Sequence, residues 1–114
     1  MHIEIIRNRI SRPELEQIAQ DGYGEMIKGV ADLKQKIIAL GGELHSDAES
    51  ILIQKGSRQA DLWGFNIYPQ KAKMERIVFS SLINIRPAQG NKTIELKDEN
   101  IKKQVRDLVD SLLE

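Results

Sequence analysis

His45 stands two residues after Glu43 and two before Asp47. On an extended chain the side-chain period is two, so the three would share one face. Such a carboxylate–imidazole–carboxylate row suits proton transfer, with His45 as general base and Asp47 or Glu43 orienting it. With help from Glu49 or Asp61 it would equally suit a divalent metal. That is the chemistry of a hydrolase. The same residues also have a plainer use, because Asp47 or Ser46 can cap a short helix over residues 48–54, closed by Gly56.

A second group follows. Arg58 offers a planar donor fork for a carboxylate or phosphate, with Gln59 beside it and Asp61 placed to orient it. The bland alternative is a turn built on Gly56 and Ser57, with Asp61 bonded to nearby backbone. A third group, Asn66, Asn84 and Arg86, is polar and directional, and Gly64 leaves room for close approach to the backbone. Either these residues bind a small polar or anionic ligand, or they face water. No Gly-x-x-x-x-Gly-Lys run, Gly-x-Gly-x-x-Gly run or serine elbow is present, so nucleotide and acyl-serine signatures are absent.

The elements that position these groups can be read from periodicity. Residues 3–7 alternate as a strand. Ser11-Arg12-Pro13-Glu14 has the form of a capping box with proline in the first turn, opening a helix that stops near Gly22. Residues 26–40 fit one helix or two strands turning at Lys34-Gln35-Lys36, and Gly29 favours the strands. In residues 62–68, Trp63, Phe65 and Ile67 alternate with polar or small positions. In residues 76–86, Ile77, Phe79, Ile83 and Ile85 do the same. Paired antiparallel, the two runs put these large residues on a core face and Gly64, Asn66, Ser80, Asn84 and Arg86 on the other. Trp63 is thereby core rather than a ligand platform. Thr93 to Leu96 is read as one more short strand. Asp98-Glu99-Asn100 starts a helix whose stripe is Ile101, Val105, Leu108 and Leu112.

These elements make one α+β domain over residues 1–114, a mainly antiparallel sheet with an N-terminal capped helix and a C-terminal amphipathic helix packed on one face. With 114 residues, 40% hydrophobic and 30% charged, the chain can build a core without staples. Its 17 basic and 17 acidic residues balance. That lack of a broad positive field argues against nucleic-acid and anionic-membrane partners. Arg7, Arg9 and Arg12, interspersed with acids, read as a solvated edge. Cysteine is absent, which excludes disulfides and thiol chemistry and fits a reducing compartment. The N-terminus has neither a signal peptide's pattern nor an anchor's, so a cytoplasmic protein is expected.

Three segments together resemble a known family. They are Gly41-Gly42-Glu43-Leu44-His45-x-Asp47, then Gly56-Ser57-Arg58-Gln59-x-Asp61-Leu62-Trp63-Gly64-x-Asn66-x-Tyr68-Pro69, then Ile83-Asn84-Ile85-Arg86-Pro87-x-Gln89-Gly90-Asn91. The family is one of short prokaryotic proteins labelled only as domain of unknown function 5674. The resemblance brings no activity or cofactor. It implies a stand-alone prokaryotic domain whose three segments form one constellation. The leading expectation is a small binding or regulatory domain with a site built from His45, Asp47, Arg58, Gln59, Asp61, Asn66, Asn84 and Arg86. In it Arg86 or Arg58 would hold the anion. The alternatives are the His45 hydrolase and an interaction partner. The latter would be a homodimer or a toxin–antitoxin-like component, joined through the terminal helix or the edge of residues 3–7.

Overall fold

The computed structural model describes residues 2–114; Met1, where the N-terminal stretch read above begins, lies outside them. The chain opens with strand β1 (Ile3–Ile6) and helix α1 (Arg12–Gln20). The capping box forms as the sequence predicts: the Ser11 hydroxyl accepts from Glu14 N, and Glu14 Oε1 accepts from Ser11 N. Residues 26–40 are a hairpin and not a helix, with strands β2 (Ile27–Asp32) and β3 (Ile37–Gly41). Asp32 fixes its turn. One carboxylate oxygen accepts from Lys34 N and Gln35 N, and the other from Gln35 Nε2 and Ser57 Oγ. Four donors on one fully buried carboxylate offset its loss of hydration.

Gly41 and Gly42, at φ of 108° and 88°, turn the chain out of β3 into helix α2 (His45–Gln54). Strands β4 (Leu62–Ile67) and β5 (Ile77–Val78) and helix α3 (Glu99–Leu112) complete the fold. The sheet runs β1-β3-β2-β4-β5 with every neighbouring pair antiparallel. Asp98 caps α3, accepting from Asn100 N and Ile101 N. The buried face of α3 carries Val105, Leu108, Val109 and Leu112, which at about 1.5–3 kcal/mol each anchor it firmly.

The sheet is covered on both faces. One carries Trp63, Phe65 and Ile67 beneath α1 and α3. The other carries Val30, Ile37, Ala39 and Leu62 beneath Ala48 and Leu52 of α2. No helix among the described residues is long and apolar enough to cross a membrane.

Two strand expectations need correction. The run 76–86 is not one strand. Ile77 pairs with Ile67 and, with Phe79, reaches the core, but the ladder ends at Val78 and residues 82–84 form a single 3-10 turn. Ser81 causes the turn locally, its hydroxyl accepting from Ile83 N. Ile83 therefore packs on the α2 face and Ile85 is exposed, instead of joining the core face with Trp63. Residues 93–96 likewise form no strand, only an isolated bridge from Glu95 to Ser80. Asn91 bends them inward, its Nδ2 donating to the carbonyls of Asn84, Thr93 and Glu95 and its Oδ1 accepting from Lys97 N.

Candidate functional site

The proposed His45 row does not form. Glu43 precedes α2, while His45 occupies its first position and Asp47 its third, so period-two geometry does not apply. Asp47 Oδ2 accepts from Leu44 N, closing the helix start, and Glu43 is exposed. Neither carboxylate bonds the imidazole. Among the described residues no three of His, Asp and Glu gather as a metal-binding group.

His45 instead points down onto the sheet. Burial spaced 45, 48 and 52 turns this stripe of α2 inward and leaves His45 8% exposed. Its Nε2 lies 2.7 Å from Phe65 O. A carbonyl only accepts, so Nε2 carries the proton and Nδ1 of the neutral ring is a bare acceptor. Burial lowers the His45 pKa below the ordinary 6.5, and the charge of Lys28 adds to that; the Phe65 carbonyl and the Asn66 amide work against it. The ring is accordingly neutral near pH 7.

Asn84 and Arg86 are drawn into the fold. Where β5 leaves the ladder, the Asn84 side chain takes its place: Oδ1 accepts from Gly64 N at 2.8 Å and Nδ2 donates to Gly64 O at 3.0 Å. A primary amide has the donor and acceptor of a peptide group, so it ends the sheet edge as a strand would. Gly64 allows the approach of the chain above it, because a Cβ there would lie 2.6 Å from Ser81 Cβ. Arg86 donates to Ile83 O from Nε, to Gln59 O from Nη1 and to Glu49 from Nη2, and lies 4.7 Å from the centre of the Trp63 ring. Burial lowers its pKa against the pull of Glu49. Gln89 Nε2 adds a bond to Ala60 O. These side chains staple residues 59–61 to residues 83–91.

Arg58, Gln59 and Asp61 flank that staple. Arg58 and Gln59 are exposed, and Asp61 is half-buried with its carbonyl accepting from Leu33 N. Among the described residues no ion pair joins Arg58 to Asp61. Of the expected constellation, the structure brings only His45 and Asn66 to one concavity.

That concavity is a cleft of ≈ 370 Å³ on the α2 face of the sheet, between the first turn of α2 and residues 80–83. Lys28, Ser80 and Ser81 line it with His45 and Asn66. Lys28 lies directly opposite Asn66 across the β2–β4 ladder, so the two side chains share this face. Asn66 Nδ2 donates to Ser80 O at 3.0 Å, which fixes the amide's orientation, and Asn66 Oδ1 is buried near the His45 ring with no donor at hydrogen-bond distance among the described residues. An unmet buried acceptor costs about 1–3 kcal/mol and calls for a reason. The other such atom, Arg76 Nε, belongs to a guanidinium held by Asp110 and Glu114 O. A cavity of similar size beside Lys36, Gln104 and Asp107 contains no such atom. Lys28 and the serines were absent from the expected site. The signal for Lys28 is its register opposite Asn66, which appears only once β2 and β4 are paired.

No curated protein and no solved structure matches the chain at a significant level. One family, described as protein of unknown function (DUF5674), matches residues 4–112, nearly the whole chain and all three motif segments. The chain therefore belongs to the DUF5674 family, as the resemblance of its motifs implied.

Proposed function

We propose that this protein binds a small polar anion in the cleft between α2 and residues 80–83. Lys28 supplies the charge there, and Asn66, His45 and the two serines set orientation. The observation that carries the reading is Lys28, the only charged side chain lining this concave site among the described residues, standing opposite Asn66 across the ladder. The volume lies in the range of small-molecule sites, and a few convergent polar groups amid apolar walls are what such sites present. Lys28 replaces Arg86 and Arg58 in the role of anion holder, because the guanidinium of Arg86 is occupied and Arg58 stands outside the cleft. Hydrolysis by His45 with Asp47 or Glu43 has no support in this arrangement, since neither carboxylate orients the ring.

Melting curves of wild type and Lys28→Ala across a panel of small carboxylates and phosphates test the reading. A ligand at a hundred times its Kd adds about 2.7 kcal/mol, a shift on the order of 10 °C for a domain of this size. The shift should appear in wild type and largely vanish in the variant. Equal shifts in both, or none in either, would remove the reading.

A further inference from the structure

The donors and acceptors of the same cleft restrict what can fill it, and this restriction rests on the binding reading above. Among the described residues Lys28 is the only charged side chain lining it, so a net anion is favoured and a cation opposed. Two acceptors are fixed by bonds to backbone carbonyls. Donation from Nε2 to Phe65 O leaves His45 Nδ1 as a lone pair, and donation from Nδ2 to Ser80 O leaves Asn66 Oδ1 as another. Of the two, Asn66 Oδ1 is the buried one and calls for an N–H or O–H from whatever fills the cleft. A bare carboxylate offers none. An ammonium offers several, but it would sit beside Lys28 with no carboxylate in the cleft to pair with it. A neutral amide N–H satisfies both conditions. The lips are apolar: Leu44 is 55% exposed and Leu82 77%.

We infer that the cleft takes a carboxylate bearing an acylated α-amino group and an aliphatic side chain, the chemistry shared by an N-acyl amino acid and the C-terminal residue of a peptide. The carboxylate meets Lys28, the amide N–H meets Asn66 Oδ1, and the side chain lies between Leu44 and Leu82.

Titration calorimetry with N-acetyl-L-leucine, N-acetyl-N-methyl-L-leucine and 4-methylpentanoate tests this. N-acetyl-L-leucine should bind at least tenfold more tightly than either analogue, since each lacks the N–H. Asn66→Ala, checked for folding by its melting curve, should bring N-acetyl-L-leucine down to the level of 4-methylpentanoate while leaving the latter unchanged. Equal affinity for all three acids, with Lys28→Ala weakening all of them, would overturn this inference and leave the anion reading standing. No binding of any acid, together with no effect of Lys28→Ala across the wider anion panel, would overturn both. A heptapeptide ending in leucine separates the sources. Binding of its free-acid form but not its amide identifies a peptide terminus, and binding of N-acetyl-L-leucine alone identifies a small acyl amino acid.

Discussion

Replacing Asn84 by alanine should cost this protein a large part of its stability, although Asn84 belongs to no helix–helix or strand–strand contact. Its side chain is fully buried and serves both the N–H and the C=O of Gly64 at the edge that β5 has left. Truncation leaves two buried backbone groups unpaired. At about 1–3 kcal/mol each the loss is about 2–6 kcal/mol, and partial entry of water places it near 2–4. A domain of this kind has only about 5–15 kcal/mol in total. Trp63, the only tryptophan, is buried in β4 beside Gly64 and reports unfolding directly. With a urea slope of roughly 1.5 kcal/mol per M, the midpoint should fall by about 1.5–2.5 M. Asn84→Asp is the sharper variant. Aspartate still accepts from Gly64 N, but it cannot donate to Gly64 O and sets a negative oxygen against it, so it should fare no better than alanine. If both variants unfold within about 0.5 M of wild type, the Asn84 side chain does not stand in for a strand at this edge.

Three further outcomes follow from the same geometry. Asp32→Ala removes the acceptor of four donors around the β2–β3 turn and should cost about 2–4 kcal/mol in the same urea titration; a loss below about 1 kcal/mol would contradict its anchoring role. Gly64→Ala places a Cβ 2.6 Å from both Cβ and Oγ of Ser81 and 3.0 Å from Ile83 Cγ1. It should lower stability by about 1–3 kcal/mol, so an unchanged melting temperature would show that residues 81–83 lie more loosely than described. His45 gives a pH signature. Its folded pKa is below the unfolded 6.5, so between the two values the unfolded chain binds more protons and stability rises with pH. The contribution of the neutral ring is complete above 6.5 and is lost as pH falls through 6.5 towards the folded pKa. His45→Gln should flatten that part of the stability–pH curve, and an unchanged slope would contradict the burial of the ring.

What could be read in the sequence divides by how local its cause is. The Ser11–Glu14 box, the β2–β3 turn and the Asp98 cap are decided within a few residues, and the parity of Trp63, Phe65 and Ile67 needs only a period of two. Asn84 and Arg86 looked like ligand-binding residues, and Asn91 was part of a motif segment, because the side chains that staple backbone are the same types that grip ligands. Which role each plays depends on the backbone opposite it: Gly64 for Asn84, Gln59 for Arg86 and Asn84 O for Asn91, up to 27 residues away in sequence. Much of the family's motif is therefore architecture. Lys28 went unread for the complementary reason. It meets Asn66 across a ladder between strands that are not neighbours in sequence, and a lone lysine in a strand otherwise reads as a solvated position. The His45 row failed on a boundary, because α2 begins at His45, three residues before the expected helix, and helical spacing separates what extended spacing would align.

The claim that the α2-face cleft holds an anion is tested most directly by mapping amide shifts of ¹⁵N-labelled protein during titration with N-acetyl-L-leucine and 4-methylpentanoate. Changes should concentrate at Lys28, the first turn of α2, the Asn66 side-chain amide and residues 80–83, and Lys28→Ala should weaken binding at least tenfold. Changes centred instead beside Gln104 and Asp107, or none at millimolar concentrations of either acid, would contradict it.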